Sequence, residues 1–233
     1  SVAQQLYEGI NVDSEGSSGL ITYMRTDSIN MSSYAIDQAR DVIKEKYGSD
    51  HIPEAPRFYK KKVKGAQEAH EAIRPTSFSR LPESVKDNLT SDQYRLYDLI
   101  WKRAVASQMS DAKFQQTSVD IHTKNSASDV QYLLRTSGSI MTFDGFLKIY
   151  TEGKDEPSND SDDGRIIPKL SEGQALSASD ISPNQHFTQP LPRFTEASLV
   201  KALEEKGIGR PSTYATIMGT LQDRGYVDKE NNS

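Results

Sequence analysis

The stretch Gly19-Leu20-Ile21-Thr22-Tyr23-Met24-Arg25-Thr26-Asp27-Ser28 holds the most informative pattern in this chain. Its first half alternates in the manner of a short β-strand, which predicts that Tyr23 and Arg25 point to the same side. A guanidinium matches the geometry of a phosphate, and a phenol beside it is a candidate nucleophile for a phosphodiester. An aromatic residue in a short apolar run is more often part of a core, so the spacing alone leaves both interpretations open.

Two further stretches bear on this choice, residues 67–76 (QEAHEAIRPT) and residues 207–214 (GIGRPSTY). Together with GLITYMRTDS they resemble, in the same order, the signatures of the type IA DNA topoisomerases, and bacterial topoisomerase I in particular. The resemblance covers nearly the whole chain and is weakest at 49–65, 77–92 and 120–165. It favours a functional role for the tyrosine over a place in the core.

Composition predicts a soluble protein with packed cores, since 35% of the 233 residues are hydrophobic. No apolar run approaches the ~18 residues that a membrane helix needs. The first residues, SVAQQL, have no signal-peptide pattern, so we expect neither secretion nor membrane insertion. The absence of cysteine excludes disulfides and thiolate metal sites and is typical of a reducing compartment.

The net charge of −5 is unevenly distributed along the sequence. Residues 1–150 carry 19 basic and 19 acidic side chains, residues 165–233 carry 8 of each, and residues 151–164 carry one lysine against six acids. Phosphate binding depends on local basic patches rather than on the total charge. One such patch is RFYKKKVK at 57–64, whose aromatic residues Phe58 and Tyr59 are suited either to stack on bases or to pack under a loop.

Two helices are predicted in the first half of the chain. Ser32 or Ser33 is a suitable cap for a helix that runs to about Tyr47 and ends at Gly48. Thr90 and Gln93 form a capping-box pattern at the start of a second helix, in which Trp101 is expected to anchor the core.

Residues 66–73 are predicted to form one or two helical turns, which Pro75 ends. They include His70, whose imidazole is able to exchange a proton near neutral pH or to pair with phosphate as a cation. Considered alone, a histidine among Ala66, Ala69 and Ile73 is more typical of a partly packed structural residue. The resemblance favours the functional role.

From Thr117 onward the apolar period changes to two, which predicts mainly antiparallel β-structure over residues 117–190. The residues on which this rests are Val119, Ile121, Tyr132, Leu134, Phe146 and Ile149. The acidic stretch at 151–164 is predicted to be a hairpin or a disordered loop. Asp160 and Asp162 have the spacing of a metal-binding pair, but they lie in that polar loop and receive no catalytic role.

Thr195 is predicted to cap a helix that ends at Gly207, and a second helix follows from Ser212 to Gly225. With a strand starting at Tyr226, this is the order of a helix-turn-helix with a wing, a common nucleic-acid-binding unit. Arg210, the hydroxyls of Ser212 and Thr213, and free backbone N–H groups converge on the start of the second helix, where a phosphate would bind. The alternative is that Ser212 is only a cap.

The resemblance implies an α+β multidomain fold, of which this chain is a central fragment. Residues 1–116 would form a mainly helical domain with Tyr23, and residues 117–190 an antiparallel β-rich arch domain whose completeness stays open. Residues 191–233 would form an incomplete helix-turn-helix/winged-helix-like segment that binds single-stranded DNA.

The resemblance also implies an activity, in which ATP-independent cleavage of one DNA strand through a 5′-phosphotyrosyl intermediate is followed by strand passage and rejoining. Tyr23 would be the nucleophile, Arg25 would hold the scissile phosphate and His70 would contact a nearby phosphate. DNA contacts are expected from Thr22, Arg210, Ser212, Thr213, Tyr214 and Arg224. Mg²⁺ would be bound by an acidic domain outside this chain, in which no metal site is predicted, and the fragment alone is expected to be inactive.

The partners implied are single-stranded and negatively supercoiled DNA, for a monomeric protein that acts in the bacterial cytoplasm at the nucleoid. Two alternatives come from other classes. A non-catalytic module that binds single-stranded DNA would leave Tyr23 in a core. A scaffold or interaction protein would have no role with nucleic acid, which three ordered motifs argue against.

Overall fold

The computed structural model describes residues 1–13, 16–26, 28–59, 71–124, 131–151 and 167–230. Within these ranges the chain is an α+β protein with two separate antiparallel strand pairs. No helix in these ranges has both the length and the apolar character needed to cross a membrane. The elements are α1 (Val2–Glu8), β1 (Ile10–Asp13), β2 (Gly16–Ser18), α2 (Ser33–Tyr47), α3 (Pro82–Val85), α4 (Ser91–Ala106), β3 (Lys113–Lys124), β4 (Gln131–Phe143), α5 (Glu196–Glu205) and α6 (Tyr214–Asp223), with 3-10 turns at Ser49–His51, Lys86–Asn88 and Gly145–Lys148.

Local capping accounts for the ends of the two long helices, as the sequence predicts. The Ser32 hydroxyl accepts the Ala35 N–H at the start of α2, and Gly48 ends this helix with φ 92°. Thr90 and Gln93 form the complete capping box of α4. Both predictions are confirmed.

The core lies between α1, α2 and α4. Trp101 and Tyr97 of α4 are buried, and each uses its polar atom on a nearby carbonyl: Trp101 Nε1 donates to Phe78 O at 3.0 Å, and Tyr97 Oη donates to Arg80 O at 2.7 Å. Burial raises the pKa of Tyr97 well above its usual range. The core role predicted for Trp101 is confirmed.

Residues 19–25 are extended, but their burial differs from strict alternation. Leu20 and Ile21 are neighbours and both lie in the core. Leu20 N–H donates to Leu6 O at 2.7 Å, and Ile21 forms a single antiparallel bridge with Pro75. Because the segment runs between α1 and residues 72–76, consecutive side chains find apolar partners on opposite sides.

β3 and β4 form one long antiparallel ribbon, in which Asp120 faces Arg135 and Ile121 faces Leu134. The predicted strand at Phe146 is wrong, since Phe146 lies in the 3-10 turn Gly145–Lys148. Gly145 has φ 50°, and a Cβ there would lie 2.5 Å from the Asp111 backbone, so the chain turns tightly instead of extending.

The β-structure predicted over 117–190 is therefore confirmed for the ribbon and wrong for residues 167–190, which have no regular secondary structure. Residues 152–166, with the acidic pair Asp160 and Asp162, lie outside the described residues. Most of the predicted helical turn at 66–73 also lies outside them, and its described end, residues 71–73, is not helical.

The helix pair α5–α6 has the predicted order. The Thr195 hydroxyl accepts the Ser198 N–H at the start of α5, and Gly207 follows this helix with φ 68°. The second helix begins two residues later than predicted, at Tyr214. The strand predicted at Tyr226 is absent from the described residues, because Tyr226 N–H turns back to Leu221 O at 3.0 Å and closes the end of α6.

Candidate functional site

The described parts of the motifs at 19–28 and 67–76 are hydrogen-bonded to each other although about fifty residues separate them. Thr22 N–H donates to Arg74 O at 2.9 Å, and Thr76 N–H donates to Leu20 O at 3.0 Å. These bonds flank the Ile21–Pro75 bridge. The backbone next to Tyr23 is thus held by the second motif on one side and by the core on the other.

The side chain of Thr22 strengthens the same junction. Its hydroxyl donates to Ala72 O at 2.7 Å and accepts the Arg74 N–H at 2.9 Å. Thr76 repeats this pattern, since its hydroxyl donates to Gly19 O at 2.7 Å. The DNA contact assigned to Thr22 stays a prediction, and the contacts described here are structural.

Tyr23 is half-buried, and its ring contacts the side chains of Arg25 and Tyr7. The Arg25 guanidinium lies over its ring, 5.5 Å from the centroid, and Tyr7 meets it edge to face with ring centroids 5.4 Å apart. The predicted proximity of Tyr23 and Arg25 is confirmed. Arg25 is exposed, so its N–H donors face solvent from which an anion would approach.

Glu71 and Arg74 form an ion pair that the sequence analysis missed. Arg74 Nε and Nη2 donate to the two Glu71 oxygens, each at 2.9 Å, and Arg74 Nη1 donates to Pro75 O at 2.8 Å. Glu71 also accepts the Ser32 N–H at 2.8 Å. The i,i+3 spacing of an acid and an arginine in EAIR was the available signal, but it does not reveal that the pair reaches the start of α2.

The environment of Glu71 favours its charged form. Burial raises the pKa of this carboxyl, but the hydrogen bonds from Arg74 and from the Ser32 N–H outweigh it and leave the pKa below its ordinary value. The ionised Glu71 side chain therefore connects the second motif to the start of α2.

His70 and Asp27 lie outside the described residues, so the role assigned to His70 stays a prediction. The described end of its motif is well anchored, since Ala72 N–H donates to Asn30 O at 2.7 Å. Lys60 to Lys64 of the basic run also lie outside. At its described start, Arg57 pairs with Asp111 at 2.9 Å, and Tyr59 Oη donates to Ser107 O at 2.8 Å.

The third motif forms a tight turn before α6. Arg210 N–H donates to the Thr213 hydroxyl at 2.9 Å, and Thr213 N–H returns to Arg210 O at 2.8 Å. Gly209 has φ 76°, and a Cβ there would lie 2.8 Å from Ile217. Only glycine combines this backbone conformation with the close packing of the turn against α6.

This turn brings several of the predicted DNA contacts together. Arg210 and Ser212 are exposed, Tyr214 is half-buried, and Thr213 provides no side-chain cap to the helix. Arg224 lies at the other end of α6, which at 10 residues is about 15 Å long. Arg224 is therefore not part of the same cluster, and all five DNA-contact assignments in this segment stay predictions.

The described residues contain no group of three or more His, Cys, Asp or Glu side chains that could hold a metal ion. Mg²⁺ prefers oxygen ligands, usually with one or two carboxylates. Among the described residues of the two motifs, Glu71 does not meet this need, since it is already bonded to Arg74 and Ser32. This part of the chain does not fit a magnesium site.

Comparison with known proteins identifies relatives of this chain. The profile of a family described as DNA topoisomerase matches residues 1–233. DNA topoisomerase 1 of Xylella fastidiosa (strain 9a5c) is 52% identical over 233 residues, which are all of this chain and 28% of that protein. DNA topoisomerase 1 of Streptomyces coelicolor is 50% identical over 231 residues, which are 98% of this chain and 23% of that protein.

A solved structure supports the same relationship. Full-length topoisomerase I from Thermotoga maritima is 36% identical and matches with a TM-score of 0.76 over 99% of this chain and 35% of that one. The chain thus spans about a quarter to a third of the length of these relatives. The family profile matches all of the chain, and the relatives share about half of its residues. This chain therefore belongs to the type IA DNA topoisomerase family.

Proposed function

We propose that this chain supplies the nucleophile and part of the strand-binding surface of an ATP-independent DNA topoisomerase, an isomerase that cuts and rejoins one strand. The observation that carries the proposal is the position of Tyr23. Its ring lies beside the Arg25 guanidinium at 5.5 Å, on a backbone held to the core at Leu20 and Ile21. A nucleophile needs this combination of a fixed backbone and a neighbouring cation.

The reaction is a transesterification at phosphorus. The Tyr23 oxygen attacks the phosphodiester, and a P–O bond forms to the 5′-phosphate while the bond to the 3′ oxygen breaks. The phenol loses its proton, and the departing 3′ oxygen gains one. The 3′ hydroxyl later attacks the phosphotyrosyl link and restores the strand, so the energy of the phosphodiester is kept and ATP is not needed.

Arg25 is assigned to the scissile phosphate and His70 to a phosphate nearby. A guanidinium stabilises the charge that develops on the phosphoryl oxygens. Phenols are mostly protonated at neutral pH, so proton transfer must accompany attack. The group that accepts this proton and the Mg²⁺ of the enzyme are proposed to lie in an acidic domain outside this chain.

The turn before α6 is proposed as a second anchor for single-stranded DNA, through Arg210, Ser212, Thr213 and Tyr214, with Arg224 at the far end of the helix and Thr22 beside the nucleophile. The domain division into 1–116, 117–190 and 191–233 belongs to the same proposal. So do negatively supercoiled DNA as the substrate, a monomeric state and a cytoplasmic site of action at the nucleoid.

Trapping the intermediate tests the function directly. The complete topoisomerase that carries this segment is incubated with a single-stranded oligonucleotide and Mg²⁺ and is then denatured. We expect a covalent adduct, and peptide mapping should place the DNA on Tyr23. Binding without any adduct would instead support a non-catalytic single-strand-binding module, and an adduct on another residue would refute the assignment of the nucleophile.

Arg210→Ala is expected to weaken binding of single-stranded DNA by a similar factor for all sequences. A phosphate contact carries no base information, and its loss should reduce the slope of log affinity against log salt by about 0.7 for single strands. Titration of labelled oligonucleotides at several salt concentrations measures both effects. Arg95→Ala, at an exposed position of α4, is the control with the same change in charge. An unchanged salt slope in Arg210→Ala would remove this residue from the interface.

The isolated chain is expected to bind single-stranded DNA weakly and to neither cleave nor relax it at a useful rate. Tyr23 and Arg25 provide a nucleophile and one cation, whereas general acid–base help alone contributes roughly 10²–10⁴-fold. Incubation with supercoiled plasmid and Mg²⁺, followed by gel electrophoresis, measures relaxation. Relaxation that Tyr23→Phe abolishes would show that these 233 residues need nothing further.

A further inference from the structure

We infer that Tyr7 is a positioning residue for the proposed nucleophile, and this inference rests on the proposed function. Tyr7 lies in the last turn of α1, on a segment that carries none of the three motifs. Its ring meets the Tyr23 ring edge to face, with centroids 5.4 Å apart and an angle of 64° between the ring planes. This separation is within the range in which aromatic pairs attract each other.

The backbone holds the two tyrosines at a fixed distance. Leu20 N–H donates to Leu6 O at 2.7 Å, which joins the end of α1 to the segment that leads to Tyr23. A Cβ on Gly19 would lie only 2.6 Å from Tyr7 O, so the two backbones are in close contact. Leu6 and Leu20 are fully buried at this junction. The contact between the rings therefore follows from a packed interface.

The Tyr7 ring contributes little to the core. It is 41% exposed, whereas the adjacent Leu6 is fully buried and anchors the helix. A ring with a role in the core would be buried, as Leu6 is. The exposed Tyr7 ring therefore acts on the geometry of the proposed nucleophile rather than on the stability of the fold.

Arg25 and Tyr7 differ in what happens to them when DNA binds. In the proposed mechanism the Arg25 guanidinium engages the scissile phosphate, and its contact with the Tyr23 ring weakens as it turns. Tyr7 carries no cation that a phosphate would attract, so its ring does not move with the DNA. Its contact persists during attack and limits rotation of the Tyr23 ring, so the phenol oxygen stays in line with the phosphorus. Small misplacements of a reacting group are costly, since about 1 Å can reduce a rate 10²-fold.

The test compares Tyr7→Phe, Tyr7→Leu and Tyr132→Leu in the complete topoisomerase that carries this segment. Tyr132 is a matched control because it is an exposed tyrosine, at 56%, on the distant β-ribbon. Single-turnover cleavage of an oligonucleotide, its Kd and the melting temperature are measured for each protein. Tyr7→Phe should cleave at nearly the wild-type rate, because the ring remains. Tyr7→Leu should cleave about tenfold more slowly with an unchanged Kd.

One further readout separates positioning from a loss of folded protein. A positioning contact acts on the transition state, which cleavage and rejoining share, so Tyr7→Leu should slow both steps equally and leave the final amount of adduct unchanged. A smaller final amount with a normal rate would indicate partial unfolding and overturn the inference. So would a wild-type rate in Tyr7→Leu, or a Tyr7→Phe protein as slow as Tyr7→Leu.

Failure of the proposed function would look different. In that case the wild-type protein itself would form no adduct on Tyr23, and the Tyr7 variants would have nothing to change.

Discussion

Tyr23→Phe in the complete topoisomerase is expected to abolish the covalent adduct and relaxation while leaving DNA affinity nearly unchanged. The substitution removes only the oxygen that would attack phosphorus. Phenylalanine keeps the aromatic contacts with Tyr7 and Arg25, so the local packing should survive. Denaturing electrophoresis of labelled oligonucleotide measures the adduct, and a binding titration measures affinity.

The control is Tyr7→Phe, which removes the same atom from the neighbouring ring and should still form the adduct. This comparison shows that loss of activity depends on one particular oxygen rather than on any tyrosine at the site. Residual adduct in Tyr23→Phe would place the nucleophile elsewhere and refute the central assignment of the proposal. A large loss of DNA affinity would mean that the hydroxyl has a ground-state contact that the proposal omits.

Glu71→Ala is expected to lower the free energy of unfolding by about 2–4 kcal/mol. The Arg74 side chain is only 11% exposed, and Glu71 is its bidentate partner. Removal of one member of such a pair leaves an uncompensated charge in a poorly solvated place. Glu71→Ala also deprives the Ser32 N–H of its acceptor at the start of α2. Urea unfolding followed by circular dichroism gives the change.

Two control variants make this prediction specific. The double variant Glu71→Ala with Arg74→Met removes both charges and should recover part of the loss, because no unpaired guanidinium remains. Asp120→Ala removes one partner of a fully exposed bidentate pair on the β-ribbon and should change stability little. If Glu71→Ala proved as mild as Asp120→Ala, the junction of the two motifs would not depend on this pair.

The Glu71 carboxylate is also expected to make the free energy of unfolding depend on pH. The pKa of Glu71 is lower in the folded chain than its ordinary value of 4.5. Its contribution to stability is therefore complete above about pH 4.5 and is lost as the pH falls through the lowered folded value. The difference in unfolding free energy between the wild-type protein and Glu71→Gln should shrink over this acidic range. A difference that stayed constant with pH would show that the charge itself is not responsible.

Local signals predicted most of the helical structure. The ends of α2 and α4 depend on Ser32, Gly48, Thr90 and Gln93, and a cap is made by residues within about four positions of one another. The close approach of Tyr23 and Arg25 is equally local, since the two residues are separated by one position. The turn at 207–214 follows from its glycines, whose positive φ angles no other residue adopts easily.

Predictions that needed distant partners were less accurate. Period-two patterns predicted β-structure as far as residue 190, but among the described residues of that range the β3–β4 ribbon ends at Phe143, and Phe146 lies in a 3-10 turn. A strand depends on a partner that the pattern does not name. The wing strand at Tyr226 was wrong for a related reason, because its backbone closes α6 instead.

The sequence by itself determined the family, through three ordered motifs, and the candidate nucleophile with its cation, because both follow from residues close together in the chain. Only the tertiary structure decided what holds that nucleophile in place. The bonds from Thr22 to Arg74, the Glu71 link to Ser32 and the contact of Tyr7 with Tyr23 join segments 16 to 52 residues apart. Such contacts exist only after the core around Leu6 and Leu20 has formed, since burial of these apolar residues supplies the free energy that offsets the entropy of closing the loops between them.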